Sequence, residues 1–447
     1  MADQQDSKSA LYHTWLTPDE FNARFAASAS PVAAIQKQLG GYGLTVTAVS
    51  AHRLHVTGDA ASVERAFGTS LSNGTFANGR SAVVATQPLT EPDALVQANA
   101  FFTGLSGMIR MRSHAHAAAT PQNRYSPTGG YWFDDLKQAY DYPSYKTYTG
   151  KGVTIGILMQ GGFNQADMDK YFAHEKLATP SYTEIDVNGA TPYDPANPDV
   201  SFETHLDMQQ SGGMAPNAKV LLYNIPDLSD DNIMAGLSQI INDNKADVVN
   251  MSFGGPELFY TAAFNDGVDY TSILREEDDL FAQGNAQGIT FVASSGDSGA
   301  LAALPLDCFN YGPNCGSFLP SAEFPASSPH VTGVGGTNLI TTYSGTAGDL
   351  NSAYVRESAF ADPLAEDIFY GTSATGGVFG SGGGDSILFR KPLFQALVNT
   401  GNKKFRTVPD LALHMGGCPV GASSCSPDDS YDIVALAGGF YGVVGTS

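Results

Sequence analysis

A chain of 447 residues with 45 Asp+Glu against 23 Lys+Arg, a net charge of −22 at pH 7, is unsuited to nucleic acid or an anionic membrane surface as a partner. Its 42% hydrophobic content excludes wholesale disorder, and its length allows two or three domains around a large buried core. Charged residues make up only 15%, mostly carboxylates, a balance suited to work in acid, where carboxylates neutralise and self-repulsion falls.

Residues 1–110 read as a small α+β unit. Thr17-Pro18 is a helix start, with Thr17 as N-cap and Pro18 in the first turn. Ser30-Pro31 opens a second helix over 32–39, closed by Gly40-Gly41. Segments 44–49 and 53–57 read as strands, and 59–67 as a helix whose alanines and Val63 form the apolar face. The pattern then dissolves over 111–127 into an exposed linker, with His114 and His116 read as linker residues rather than metal ligands.

From 128 to 447 the period changes. Short apolar strands at 153–158, 220–223, 247–252 and 289–294 alternate with helices around 166–174, 203–211, 230–243 and 272–287. Strands apolar on both faces predict a parallel sheet covered by helices on each side, an α/β architecture with its site beyond the carboxyl ends of the strands. No run of about 20 apolar residues marks a transmembrane helix, and the polar Met1-Ala2-Asp3 start is not a signal peptide.

The chemistry gathers at a few places. The apolar run 440–444 reads as a strand running into Gly445-Thr446-Ser447, and a serine on the turn after a strand can be an exposed nucleophile. Glu203 and Asp207, four apart on a helix, share one face and could hold a single proton between them, one acting as base and the other orienting it. His205 points away from both and reads as surface or packing. Asp297, in Ser294-Ser295-Gly296-Asp297-Ser298-Gly299 at the end of a buried strand, supports three readings. Ser298 could be a chymotrypsin-like nucleophile, the loop could be half of an aspartic-protease pair, or a protonated Asp297 could donate to a developing oxyanion. The glycine-rich stretch around Ser381, Gly382 and Gly383 lacks the lysine and helix of a phosphate loop and fits a docking surface for an extended peptide, as does Ser252-Phe253-Gly254. Cys308/Cys315 and Cys418/Cys425 share one spacing in loop-like sequence; two local disulfides are favoured over a zinc site, and hence an oxidising compartment.

Taken together these motifs resemble the sedolisins, the serine-carboxyl peptidases of kumamolisin type. The resemblance runs from Tyr12-His13-Thr14-Trp15 and Val63-Glu64-Arg65-Ala66-Phe67-Gly68 through Glu203…Asp207, Ser294–Gly299, Phe324-Pro325-Ala326-Ser327-Ser328-Pro329, Ser381–Ser386 and Val408-Pro409-Asp410 to Gly445-Thr446-Ser447. It implies a subtilisin-like fold preceded by a small ferredoxin-like α+β prodomain over 1–110, a linker at 111–127 and a catalytic domain over 128–447. It implies Ser447 as nucleophile, Glu203 as base, Asp207 as its partner and Asp297 as the oxyanion residue of an acid-acting, secreted endopeptidase. Peptide or protein substrates and the chain's own prodomain, as intramolecular inhibitor, would be its partners. Phe253 stands where many members have tryptophan. The resemblance also suggests a chain truncated at both ends, with the signal peptide upstream and calcium ligands beyond residue 447, so no metal ligand is named here. The alternative is a catalytically inactive fragment or pseudoenzyme that keeps the fold and peptide binding; a subtilisin-type Ser-His-Asp protease would need a His-Gly-Thr segment that is absent from the sequence.

Overall fold

The computed structural model describes the chain apart from residues 51, 76–80, 106–109, 118–129, 143–146, 266, 304–317, 347–348, 364–377 and 418–430. Cys308, Cys315, Cys418 and Cys425, and with them the expected disulfides, lie outside the described residues.

The apolar strands assemble as their composition requires. Thr154–Gln160 is flanked by Val248–Met251 on one side and Lys219–Ile225 on the other, all parallel, with Ile157 opposite both Asn250 and Leu222. The sheet continues outward to Thr290–Ser294 and Thr332–Thr346 at one side and to Ser181–Asp186 at the other. Asp349–Ala359 closes one edge antiparallel, and Leu411–His414 adds a parallel strand beside Thr332–Thr346. Ile157, Leu222, Val249 and Phe291 are at most 1% exposed, because helices cover both faces. Asp230–Asp243 packs against Thr271–Ala286, whereas Phe202–Met214 packs with Gln165–His174 and Phe133–Ala139. The helix and strand positions expected from the sequence are met within a few residues throughout this region.

The first unit folds around Ile35, Leu39, Leu44, Phe67 and Leu95. Thr17 caps Pro18–Phe25 through a reciprocal capping box with Glu20, and Asp59 caps Ala60–Phe67. The second helix begins earlier than expected, at Ala29, and runs through Gly40 to Gly41. The strands form two separate antiparallel pairs, Thr45–Ala48 with Leu54–Thr57 and Leu71–Thr75 with Ser81–Ala85. This unit sits on two helices: Arg53 donates to Ser238 Oγ at 3.3 Å and to the Asp231 carbonyl at 3.2 Å, Thr103 to Asp231 Oδ1 at 2.7 Å, and Gln4 Nε2 to the Ala286 carbonyl at 3.1 Å.

Residues 111–117 are not an exposed linker. Met111 and His114 are 4% and 1% exposed. Arg112–Ser113 pairs antiparallel with Phe253–Pro256, and His116–Ala117 with Gly439–Val444. Polar residues can be buried here because buried carboxylates are waiting to accept their hydrogen bonds.

Several carboxyl groups are buried. Glu277 is 0% exposed and, among the described residues, neither of its oxygens has a hydrogen-bond partner, while Asp230 beside it accepts the Tyr260 hydroxyl at 2.6 Å. Burial, then the neighbouring acids, push Glu277 well above the usual carboxylate range, and burial pushes Asp230 up to about 7. A carboxyl raised by folding binds protons more tightly in the folded chain, so its contribution is fully present in acid and is lost as pH rises through the folded value. Thermal unfolding followed from pH 4 to pH 7 should therefore show a falling Tm. Glu277→Gln, which cannot ionise, should stabilise the protein by about 1–3 kcal/mol more at pH 7 than at pH 4; equal effects at both would refute this origin.

Candidate active site

Glu203 and Asp207 lie one turn apart on Phe202–Met214, 3% and 5% exposed. Asp207 Oδ1 accepts the Ser252 hydroxyl at 2.6 Å, and Ser252 Oγ accepts from Asn250 Nδ2 at 2.9 Å. The end of Val248–Met251 thus fixes the outer carboxylate. Glu203 Oε1 and Asp207 Oδ2 are both buried without a hydrogen-bond partner. Burial and the charge of Asp207 push Glu203 well up, and burial raises Asp207 as well, so the pair retains a proton at pH values where ordinary carboxyls are ionised.

Asp297 follows the adjacent strand, Thr290–Ser294, on a turn that needs positive φ at Gly296 (+101°). Its Oδ1 accepts from the amide and the hydroxyl of Thr446, both at 2.8 Å. Ser447 is therefore brought up beside it. The Ser447 hydroxyl is buried without a formed hydrogen bond, yet lies close enough to Glu203 to favour that carboxyl's ionised form. Gly439–Val444 does form, as expected. It belongs not to the parallel sheet but to a three-stranded antiparallel one with Asp432–Leu436 and His116–Ala117. Gly445 has φ +141°, and a Cβ there would stand 1.8 Å from the His114 carbonyl oxygen and 3.1 Å from Asp297 Oδ2. Only glycine permits that approach.

Residues 111–117 form a strap through this cleft, which the sequence reading missed. The His114 amide donates to the Ser252 carbonyl at 3.2 Å, and Ser113 and Arg112 stand opposite Phe253 and Gly254. The Ala115 amide donates to Glu203 Oε2 at 2.8 Å, and the Ser113 hydroxyl donates to the same oxygen. His114 bridges Ser294 Oγ (2.6 Å) and Glu323 Oε2 (2.8 Å), and Arg112 reaches Glu323 Oε1 at 3.2 Å. His116 Nε2 is 3.0 Å from Asp297 Oδ2. Burial pushes Asp297 up, but the close approach of His116, the charge of His114 and the Thr446 amide outweigh it and hold Asp297 below its usual value. The strap thus favours the carboxylate form of Asp297, against the protonated donor expected from its sheltered position. Arg112, His114 and His116 alternate along the sequence, a period-two signal that could have marked this segment as a strand.

The remaining candidates fall as follows. Ser252, Phe253 and Gly254 carry the strap through their backbone, while the Phe253 ring is 0% exposed and packs in the main core. The hydrogen bonds of the glycine-rich loop go instead to the back of the Asp297 turn: the Gly382 amide donates to the Gly296 carbonyl at 2.6 Å, Ser295 Oγ donates to the Gly382 carbonyl at 2.8 Å, and Ser381 Oγ accepts from the Gly336 amide. Gly383 lies against Val408. This loop braces Asp297. Ser298, the chymotrypsin-like candidate, accepts from Arg112 at 3.1 Å. His205 is fully buried, its Nδ1 2.8 Å from the Ser201 carbonyl oxygen, so it is packing and not surface. Among the described residues no three His, Cys, Asp or Glu side chains cluster as a metal site, so the expected calcium has no ligand set here and enters no step below. No helix among them is long and apolar enough to cross a membrane.

Comparison with known proteins agrees with this geometry. Residues 1–106 match the family described as Pro-kumamolisin, activation domain, and residues 150–358 the Subtilase family. The chain is 30% identical to Sedolisin of Pseudomonas sp. (strain 101) over 421 residues, which cover 90% of this chain and 65% of that protein. It is 28% identical to Kumamolisin of Bacillus sp. (strain MN-32), covering 89% and 67% of the two chains. The chain therefore spans about two thirds of the length of these curated relatives. Among solved structures, Pseudomonas sedolisin (serine-carboxyl proteinase) complexed with two molecules of pseudo-iodotyrostatin superposes with a TM-score of 0.55 at 27% identity, covering 74% of this chain and 77% of that one. With an activation domain ahead of a subtilisin-like domain, and with relatives of this similarity along nine tenths of its length, the chain belongs to the sedolisin family.

Proposed function

We propose that the protein is the zymogen of a secreted, acid-acting serine-carboxyl endopeptidase that cleaves peptide or protein substrates. The observation that carries this reading is the strap: a stretch of the chain's own backbone lies across Glu203, Asp297 and Gly445 in the extended form a substrate would adopt, with its Ala115 amide on Glu203 at 2.8 Å. In this reading Ser447 attacks a carbonyl carbon and Glu203 takes its proton. Asp207, fixed by Ser252, orients Glu203 and shares the pair's remaining proton. Asp297, once its carboxyl is protonated, donates to the developing oxyanion. Carboxyl groups do this work in acid, where a histidine base would be protonated. Residues 1–110, anchored on the 230–243 helix by Arg53 and Thr103 and on the end of the 271–286 helix by Gln4 and Leu16, hold the strap in the cleft and so act as an intramolecular inhibitor.

In the full-length protein, Ser447→Ala and Glu203→Gln should each remove nearly all turnover of a quenched peptide library in acid. Asp207→Asn should weaken it, and Ser252→Ala, which leaves Asp207 Oδ1 unpaired, should cost less than Glu203→Gln. Asp297→Ala should lose ~10²–10³-fold while Asp297→Asn, whose amide still donates, keeps part of the rate. Activity surviving in Ser447→Ala but lost in Ser298→Ala would replace this reading with the chymotrypsin-like one.

Acidifying the purified precursor should yield a new N-terminus within 111–127, read by N-terminal sequencing. A chain that stays intact while fully active would refute inhibition by its own first unit.

A further inference from the structure

The inference rests on the reading above and concerns what keeps the strap from being cut where it lies. We propose that His116 is a lock on self-processing: paired with Asp297 across 3.0 Å, it holds the oxyanion residue as a carboxylate and so stops it from donating to the His114 carbonyl until acid protonates it.

The strap lies along the cleft in the extended form of a substrate. Its backbone pairs with 253–254, the His114 amide donates to Ser252, and the carbonyl of His114 approaches Gly445 and Asp297. The amide of Ala115, the nitrogen that would leave, is on Glu203. Position alone gives no reason for this bond to survive. Charge does, because the His114 carbonyl oxygen and Asp297 Oδ2 lie 1.8 Å and 3.1 Å, respectively, from one and the same point, the place a Cβ on Gly445 would occupy. An ionised carboxylate there repels the charge that develops on that oxygen instead of stabilising it.

The groups facing Asp297 decide its charge. From the strap come His116 and His114; from Glu323–Phe324 comes Glu323, of opposite effect; from the terminal turn come the amide and hydroxyl of Thr446. The glycine-rich loop contributes backbone alone, its Gly380 amide donating to the Asp297 carbonyl at 2.8 Å. His116 is held in place by backbone pairing with Val444 and by an edge-on contact with the Phe379 ring at 6.1 Å. Removing the His116 ring leaves a 1% exposed carboxyl with burial and the charge of Glu323 acting against ionisation.

The step balances without any added reagent but water. A solvent proton goes to Asp297, which then donates to the His114 carbonyl oxygen. Ser447 Oγ bonds to the His114 carbonyl carbon as its own proton passes to Glu203, and the carbon–nitrogen bond to Ala115 breaks as Glu203 returns that proton to the Ala115 nitrogen. Water hydrolyses the resulting ester and regenerates Ser447.

The test follows self-processing of the full-length precursor against pH by mass spectrometry. The lock is present above the lowered value of Asp297 and is lost as pH falls through it. His116→Ala should therefore move the midpoint of processing upward by about 1–3 pH units. His116→Lys, which restores a cation, should bring it back toward the parent, and Asp297→Asn should make processing insensitive to His116→Ala. A midpoint unchanged or lowered in His116→Ala overturns the lock. A second arm needs no turnover. In the Ser447→Ala precursor the protonated-carboxyl infrared band, assigned by its loss on Asp297→Asn, should appear at higher pH when His116→Ala is added. If no version with Ser447 intact processes or turns over peptide, the enzymatic reading fails, and this band still decides the lock: the same onset with and without His116 refutes it.

Discussion

The cleft is organised around buried carboxyl groups that must be compensated. Glu203, Asp207, Asp297 and Glu323 are each 1–5% exposed, and an ionised carboxylate out of water costs several kcal/mol unless donors meet it. Asp207 is met by Ser252, from its own domain. The other three depend wholly or partly on the strap: Glu203 on Ser113 and Ala115, Glu323 on Arg112 and His114, and Asp297 on His116 beside Thr446. The strap therefore does more than fill space. It sets the protonation of the cleft, and a cleft without it must find protons, water or a substrate's donors in its place. An acid environment supplies the first of these.

The backbone that holds these groups is itself tightly constrained. Val248–Met251 and Thr290–Ser294 end side by side, delivering Ser252 to Asp207 and Asp297 to the terminal turn. The Asp297 turn cannot drift, because a Cβ at Gly382 would come within 2.0 Å of the Ser295 carbonyl oxygen and one at Gly296 within 2.6 Å of the Glu323 carboxyl. Close packing of backbone on backbone substitutes here for the longer side chains that would otherwise position a catalytic group. The same packing sets Gly382 of the glycine-rich loop, read as a peptide-docking surface, against the backbone of Ser295 and Gly296.

Much of this was legible in the sequence where a period repeats. The parallel strands and covering helices follow from apolar runs and helical spacing, and Asp230–Asp243 matches its expected bounds at both ends. Glu203 and Asp207 were readable as a pair because helical geometry alone places them on one face. The strap left only the alternation of Arg112, His114 and His116 as a local sign, and what fixes its two short strands is a set of carboxylates 88 to 211 positions away in the chain. Glu323 was missed for the same reason: nothing local distinguishes it from a surface acid. Gly439–Val444 was found as a strand, but only its partners Asp432–Leu436 and His116–Ala117 reveal that it stands outside the main sheet. Pairing is a long-range property that apolar content does not encode.

Tethering makes the chemical state of the cleft, and not its affinity for the strap, the quantity that matters. A strap covalently joined to the domain it occupies has an effective concentration of about a millimolar or more, and the first unit, fastened by Arg53 and Thr103, restricts it further. Under the proposed function such a segment, already in a substrate's register, would be cut as fast as chemistry allows, so weak binding cannot protect it. Distortion is not the protection either, since the His114 and Ala115 amides already donate to Ser252 and Glu203 at 3.2 Å and 2.8 Å. What remains is the reactivity of the groups around the bond. Of the two that must change state, the Glu203–Asp207 pair is pushed toward keeping its proton by burial, whereas Asp297 is pushed the other way by a histidine that the strap itself carries. The segment that would be destroyed by the reaction thus also carries the group that withholds it.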